Sequence, residues 1–564
     1  MKKAGVLMPV FSFPGKYGIG TLGKEAYSFI DVLRDTGNKI WQVLPMGPTG
    51  FGDSPYQSFS AFAGNPYFVD LEALIEEGLL TEEDLEDPEE FDFGDGEAMA
   101  LLKTLWQKKA WEGDEKARNL LSTLNQGDDK YEEEDSPFKV NYGKIYVSKF
   151  KALKLAFDNY RKQGGKIDKI YKELRPETVE YCVFMAIKNS YFGASWDVWP
   201  EELRDYEKAA VEEFKAGHKD EVDFYAFVQY LFNKQWDKLH EYAKQKGIEI
   251  IGDIPIYCAP DSADVWAHRE LFQYTVEGEP KKVAGVPPDA FSATGQLWGN
   301  PLYSWDVHKK AGYKWWLSRM DYCLDMYDTL RVDHFRGFEA YYAIPYGDET
   351  AENGEWVPGP GMDLFDAMTG HYGRKDLPII AEDLGIITDE VKELMEKTGF
   401  PGMKILQFAW DSGPDNAYLP HSLTTPNCIY YTGTHDNDTL KNWFEALPDW
   451  IRNYMYVYMS RSHNDWNAMP ELLIRLSMGT VADTVIVPAA DYLGLGAEGR
   501  INTPGTSGGN WQWRMSKGAF TDEIKRKMSE IVGVYGRYYQ AKEEAAPEEE
   551  TAPEDESLLE EESF

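Results

Sequence analysis

Residues 329–337 read TLRVDHFRG, a short apolar run that ends in charged and polar side chains. If the run is a strand, its period of two puts Arg331 and Asp333 on the same side. His334 then falls on the opposite face, as a packed, hydrogen-bonded histidine. Seven more runs rich in Val, Ile and Leu share this character, at 5–10, 39–44, 249–256, 378–382, 403–408, 428–432 and 484–488. Uninterrupted apolar runs suit strands covered on both faces, as in a parallel sheet.

Helical patterns separate several of these runs. Thr388 is placed as an N-cap, with Asp389 and Glu390 in the first turn and Gly399 as the stop before the next strand. Eight strands alternating with helices predict an α/β fold, a (β/α)8 TIM barrel whose strand C-termini share one mouth.

The spacing is uneven. Residues 1–70 read as the first part of the barrel and 246–540 as the remainder. Residues 71–245 are too many for a loop and read as an inserted, mainly helical subdomain. Within it, Phe224, Phe227, Leu231 and Tyr242 fall close to one helical stripe, and Lys246-Gly247 ends that helix. Residues 258–327 form a long loop rich in Pro, Gly and aromatics. The tail, 541–564, is low-complexity and expected to be disordered.

Lys and Arg number 58 against 96 Asp and Glu, a net charge of −38. That balance excludes nucleic acid and an anionic membrane as partners, because phosphate contacts need clustered Lys and Arg. The charge is unevenly placed: stretches 71–97, 128–135 and 541–564 together carry −28 of it, as solvated or disordered segments. The four cysteines, Cys182, Cys258, Cys323 and Cys428, show neither CxxC nor zinc spacing and read as free buried thiols in a reducing compartment. Pro9 and Pro14 interrupt the apolar stretch after Lys2-Lys3, and no apolar run reaches membrane length, so the expectation is cytoplasmic. Aromatics make up 14% of the chain, with 18 Trp and 35 Tyr, a composition that suits stacking on sugar rings as well as core packing.

Three strand ends bring carboxylates to the mouth. The fourth supplies Asp333 beside Arg331, either a nucleophile kept ionised by a guanidinium or a structural ion pair. The fifth, IIAEDLG (379–385), delivers Glu382, which a partly dry site would keep protonated for donation to a leaving oxygen. The seventh, YTGTHDND (431–438), carries His435 and Asp436. Three convergent carboxylates suit glycoside chemistry. A metal centre is the competing use of Asp and His, and Arg331 is a poor neighbour for a cation. GTSGGN (505–510) lacks the GK[ST] of a phosphate loop and reads as a turn at the barrel mouth. Asp438 reads as a helix cap.

Longer segments carry a resemblance. WQVLPMGPTG (41–50), DSPYQSFSAFAGNPY (53–67), GDIPIYCAPDSADVWA (252–267), VAGVPPDAFSATGQLWGNPLYSWD (283–306), RVDHFRGFEAYYAIP (331–345), GFPGMKILQFAW (399–410) and RINTPGTSGGNWQWR (500–514) closely resemble the amylomaltases. These are the 4-α-glucanotransferases, or disproportionating enzymes, of glycoside hydrolase family 77. The resemblance implies a barrel of the α-amylase type with large helical insertions, working by retention and with no cofactor or metal. It implies Asp333 as nucleophile, Glu382 as acid/base and Asp436 as transition-state stabiliser. Arg331 and His435 would orient and hydrogen-bond, and Asp253 would support the site. Tyr56, Gln296, Trp298 and Asn502 fall in sugar-contacting loops. Maltooligosaccharides and α-1,4-glucans are the implied donors and acceptors. An amylase-type hydrolase and a non-catalytic glucan-binding protein are the alternatives. The acidic insert near 110–142 and the acidic tail depart from the family pattern.

Overall fold

The described residues form twelve strands, most of them separated by helices: β1 (Lys3–Leu7), β2 (Ile40–Gln42), β3 (Glu249–Pro255), β4 (Lys282–Val286), β5 (Gln296–Pro301), β6 (Thr329–Asp333), β7 (Ala340–Pro345), β8 (Glu355–Pro358), β9 (Ile379–Ala381), β10 (Gly402–Ile405), β11 (Cys428–Tyr431) and β12 (Thr484–Pro488). The computed structural model describes residues 2–85, 138–288, 292–506 and 508–537. The expected tail, most of the acidic insert near 110–142 and residues 86–97 of the first acidic stretch lie outside the described residues.

Eight strands form one parallel sheet in the order β10-β11-β12-β1-β2-β3-β6-β9. Its two edges meet. The Ala381 N–H at the end of β9 donates to the Pro401 carbonyl at 3.0 Å, and the Asp383 carboxylate accepts from the Met403 N–H of β10 at 2.6 Å. The sheet is therefore a closed (β/α)8 barrel, as the eight apolar runs predicted. Two runs overshoot their strands by three residues: β1 ends at Leu7, with Val10 already opening a 3-10 helix, and 406–408 form another.

Burial on both faces explains why these strands read as continuous apolar runs. In β12 all five residues are buried, and alternate side chains go to different places. Val485 and Val487 pack with Tyr430, Leu473 and Met478 in one apolar cluster, whereas Ile486 joins the larger cluster that holds Val6 and Tyr431. Neither face meets water, so no polar alternation is selected.

Between β2 and β3 the described chain is helical, including Tyr142–Lys162, Pro176–Ser190 and Lys219–Gln245. Phe224, Phe227 and Leu231 are buried as the stripe predicts, and their cluster is continuous with that of the barrel strands. Tyr242 is half-buried and donates to Asp31 at 2.9 Å, tying this helix to Lys24–Thr36. The helix Asp389–Thr398 ends at Gly399, whose φ of 73° is the left-handed conformation that closes the last turn. Thr388 holds the N-cap position with extended backbone but makes no side-chain cap bond.

The 258–327 connection is more than a loop. It contributes β4 and β5, which join β7 and β8 in an antiparallel sheet of order β5-β4-β7-β8. A bulge between Val283 and Gly285 brings Gly285 against the Gln296 carbonyl, where a Cβ would collide. This second sheet rises beside the barrel mouth. All four cysteines are buried and outside any disulfide. Among the described residues no helix is long and apolar enough to cross a membrane.

Candidate active site

The β3–β6 register sets Asp253 directly beside Arg331. Arg331 Nη1 donates to both Asp253 oxygens at 2.7 Å, and Nη2 donates to Asp333 Oδ1 at 2.8 Å. Asp253 is fully buried and Arg331 nearly so, while Asp333 opens toward the cleft. Burial pushes the Asp253 carboxyl above its ordinary value, and Arg331 pulls the other way. Both neighbouring carboxylates hold the guanidinium charged, with its pKa well above the ordinary value despite burial. In this arrangement an arginine occupies the place among the carboxylates that a metal ion would need. Among the described residues no group of three or more His, Cys, Asp or Glu is arranged to hold one.

Tyr56 comes from the loop after β2, a hairpin closed by the Gly50 N–H to the Gln57 carbonyl at 2.9 Å. Its hydroxyl donates to Asp253 Oδ2 at 2.8 Å, and its ring stacks on His435 with centroids 5.1 Å apart. Burial, and then the Asp253 charge, raise that hydroxyl well above its ordinary pKa. Tyr56 is thus a fixed hydrogen-bond donor to the network.

After β11 the chain folds into a tight turn in which Asn437 Oδ1 accepts from the Thr434 N–H at 2.8 Å. The turn packs the His435 ring against both Tyr56 and Trp511 and leaves Asp436 half exposed. Asp436 Oδ1 accepts from Asn502 Nδ2 at 2.7 Å and lies 3.4 Å from His435 Nε2. Asp438 does not cap the next helix: Thr439 does, and Asp438 accepts from the Asn442 side chain and from Arg500.

Glu382 follows β9 and is 8% exposed. Its oxygens accept two backbone N–H groups, from His334 at 2.7 Å and Leu384 at 2.6 Å. Burial, then the Asp333 charge, push its carboxyl up to about 8, with Arg331 and the two N–H groups opposing. Glu382 therefore carries a proton at neutral pH.

His334 departs from the strand-face expectation. β6 ends at Asp333, and His334 takes the left-handed conformation, φ 55°. Its ring lines the cleft under the edge of Trp298, centroids 4.8 Å apart, and its Nε2 is buried without a hydrogen-bond partner. Burial lowers its pKa to about 4. It is packed, as expected, but on the site side and not fully hydrogen-bonded.

The cleft above this floor has a volume of about 260 Å³. Tyr56, Gln296, Trp298, Asp333, His435, Asp436 and Asn502 all line it, whereas Arg331, Asp253 and Glu382 are buried outside its lining. Gln296 and Trp298 arrive on β5, joined by a Trp298 Nε1 bond to Gln296 Oε1 of 3.1 Å. Pro504 and Gly505 also line it, so the turn expected at 505–510 does border the mouth. Sequence reasoning passed over Trp511, Tyr257 and Asn300 in the same wall. Trp511 was within reach, since it stands in the NWQWR run nine residues after Asn502.

A family model described as 4-alpha-glucanotransferase matches residues 8–521. The chain is 42% identical over 537 residues to a 4-alpha-glucanotransferase of Clostridium butyricum, covering 94% of this chain and 100% of that protein. It is 42% identical over 532 residues to one of Thermus thermophilus, covering 92% and 96%. Among solved structures, the amylomaltase from Streptococcus agalactiae in complex with acarbose superposes with a TM-score of 0.85 at 38% identity, covering 96% of this chain and 100% of that one. Amylomaltase from Corynebacterium glutamicum, 16% identical, shares the fold with a TM-score of 0.66, covering 94% and 75%. Matched along nearly its whole length, the chain belongs to the 4-α-glucanotransferases of glycoside hydrolase family 77.

Proposed function

We propose that this cleft transfers α-1,4-glucan segments between maltooligosaccharides by double displacement, through a covalent glycosyl ester on Asp333. The observation that carries this reading is the contrast between two carboxyl groups on neighbouring strands. Asp333 is open to the cleft and paired with a guanidinium; Glu382 is buried and protonated. An acarbose-bound relative with the same fold supports a glucan ligand.

Arg331 engages Asp333 Oδ1, and Oδ2 has no hydrogen-bond partner among the described residues, so Oδ2 is the attacking oxygen. It bonds to the anomeric carbon as the glycosidic C–O bond breaks, and the Glu382 proton passes to the departing 4-oxygen. Glu382, now a carboxylate, takes the proton of an incoming 4-hydroxyl, whose oxygen displaces Asp333. Two inversions at one carbon restore the α configuration. Asp436, held by Asn502 and His435, is placed to accept hydrogen bonds from the sugar hydroxyls as charge develops. Trp298 and Gln296 close the cleft from the second sheet and limit water, which would otherwise compete with the acceptor.

No step calls for a metal or a cofactor. Four buried thiols outside any disulfide suit a reducing compartment and support a cytoplasmic site of action. Incubation with maltotriose tests the activity: transfer yields glucose and longer chains at a constant number of reducing ends. A rising count identifies a hydrolase, and binding without turnover a glucan-binding protein; either result defeats the proposal.

A further inference from the structure

Arg336 takes no part in the reaction just described, yet it is buried next to it. It lies in the 3-10 turn Phe335–Phe338, three residues past Asp333, and is 5% exposed. Among the described residues no carboxylate pairs with it, and its Nε has no hydrogen-bond partner. Its Nη1 donates to the Ile386 carbonyl, and its guanidinium lies over the Trp356 ring, 3.8 Å from the centroid.

These two contacts come from different parts of the fold. Ile386 is on the segment that leaves β9 and carries Glu382. Trp356 is on β8, an edge of the second sheet, packed against Tyr342 of β7. The opposite edge of that sheet, β5, carries Gln296 and Trp298 into the cleft. The turn containing Arg336 also touches the Glu382 segment directly, through the His334 N–H to Glu382 Oε2 at 2.7 Å and the Phe335 N–H to the Glu382 carbonyl at 3.2 Å.

We propose that Arg336, held between the Trp356 ring and the Ile386 carbonyl, is a positioning residue that fixes the Glu382 segment against the substrate-bearing second sheet. The inference rests on Glu382 being the acid/base and deepens that reading by assigning what holds it in place. A guanidinium suits this task because it stacks through its face and donates through its edge at the same time; an ammonium does not.

Removing Arg336 would free the 384–388 segment and let water reach Glu382. The groups facing Glu382 would remain: Asp333 and Arg331 from β6, the His334 and Leu384 N–H groups, and Tyr418 from the loop after β10. Arg336 itself faces Glu339, Tyr257 and His334. Only the burial of Glu382 changes, and burial is the largest cause of its retained proton. The acid form would then be lost at lower pH.

The test uses the full-length chain with Arg336→Met, Arg336→Lys, Trp356→Ala, Trp356→Phe and the Arg336→Met/Trp356→Ala double variant. It measures kcat/KM for maltotriose across pH and kcat/KM for α-maltosyl fluoride, whose leaving group departs without a donated proton. Arg336→Met and Arg336→Lys should lower the maltotriose value about tenfold or more, while the fluoride value stays within about threefold. The alkaline limb should move down by about half a pH unit or more. Trp356→Ala should repeat both effects, Trp356→Phe should keep near-normal values, and the double variant should be no worse than the worse single one. Equal losses on both donors with an unmoved limb, or losses that multiply in the double variant, would overturn the proposal. Should Arg336→Met fail to fold, Trp356→Ala decides, since Trp356 is half exposed on an edge strand. A wild-type chain that fails to disproportionate maltotriose would instead defeat the proposed function, a result separate from these.

Discussion

Arg331→Met removes a cation from the most buried part of the site while keeping the length of its stem. In the native chain the guanidinium makes three charge-assisted hydrogen bonds of 2.7, 2.7 and 2.8 Å, two of them to a carboxylate with no exposure to water. Breaking a buried pair by deleting one partner costs about 3–5 kcal/mol, because the remaining charge is left uncompensated. At about 2 °C per kcal/mol for a long chain, the melting temperature should fall by about 6–10 °C at pH 8 and a fixed scan rate. The loss should also depend on pH. The Asp253 carboxyl, already raised by burial, rises further without Arg331, so the folded variant binds a proton more tightly than the unfolded chain. Stability then falls as pH rises from the ordinary aspartate value toward the raised one, by about 1.4 kcal/mol per unit at most. The deficit against wild type should therefore shrink on acidification from pH 8 to 5. Adding Asp253→Asn, which removes the stranded charge, should return part of the lost stability. A melting temperature within a degree of wild type, or a deficit constant across that range, would refute the argument that Arg331 neutralises Asp253.

Asp333→Asn should abolish transfer while leaving the fold intact, checked by maltotriose turnover beside circular dichroism; near-normal turnover would remove Asp333 from its assigned role. Glu382→Gln should lower kcat/KM for maltotriose by about 10³-fold, and by much less for α-maltosyl fluoride. The wild-type kcat/KM should lose activity as pH rises through about 8, where Glu382 gives up its proton, and stay flat just below it; a limb below pH 6 would contradict the raised carboxyl. Trp298→Ala, or a deletion within residues 292–295 of the segment before β5, should raise the share of hydrolysis over transfer, read as reducing ends formed per transfer event. An unchanged ratio would exclude the second sheet from water control.

The barrel was legible because a strand buried on both faces leaves a simple trace. The run at 484–488, TVIVP, is apolar after its first residue and needs no partner information to be recognised. The second sheet left none. β4 reads KVAGV, with a glycine at its bulge, and β5 reads QLWGNP with only its last two residues buried. Short, half-covered strands with bulges carry no periodicity to count, so residues 258–327 read as a loop. The overshoot at 406–408 has a related cause: LQF is apolar enough to continue a strand, and burial does not distinguish a turn from a strand.

For the site, the sequence shows which residues are available but not how their charges are balanced. Asp253 and Arg331 are 78 residues apart, and only the β3–β6 register makes them partners. The same holds for Asp383, which closes the barrel at the β10 edge while its neighbour Glu382 accepts the His334 and Leu384 N–H groups. Extending strand periodicity one residue past Asp333 misplaces His334, because the strand has already ended there. That end has a consequence for the chemistry. The β6–β9 register pairs Val332 with Ala381, so Asp333 and Glu382 are the next residues on two adjacent strands, at one height in the mouth. Two carboxylates so placed would repel if both were ionised. The left-handed turn at His334 points its N–H at Glu382, and the following turn packs over that segment, while β3 supplies an anion that anchors Arg331 beside Asp333. One carboxyl is thereby buried with its proton and the other faces the cleft beside a fixed cation. In the proposed mechanism these adjacent strand ends serve as acid and nucleophile because of what surrounds each one.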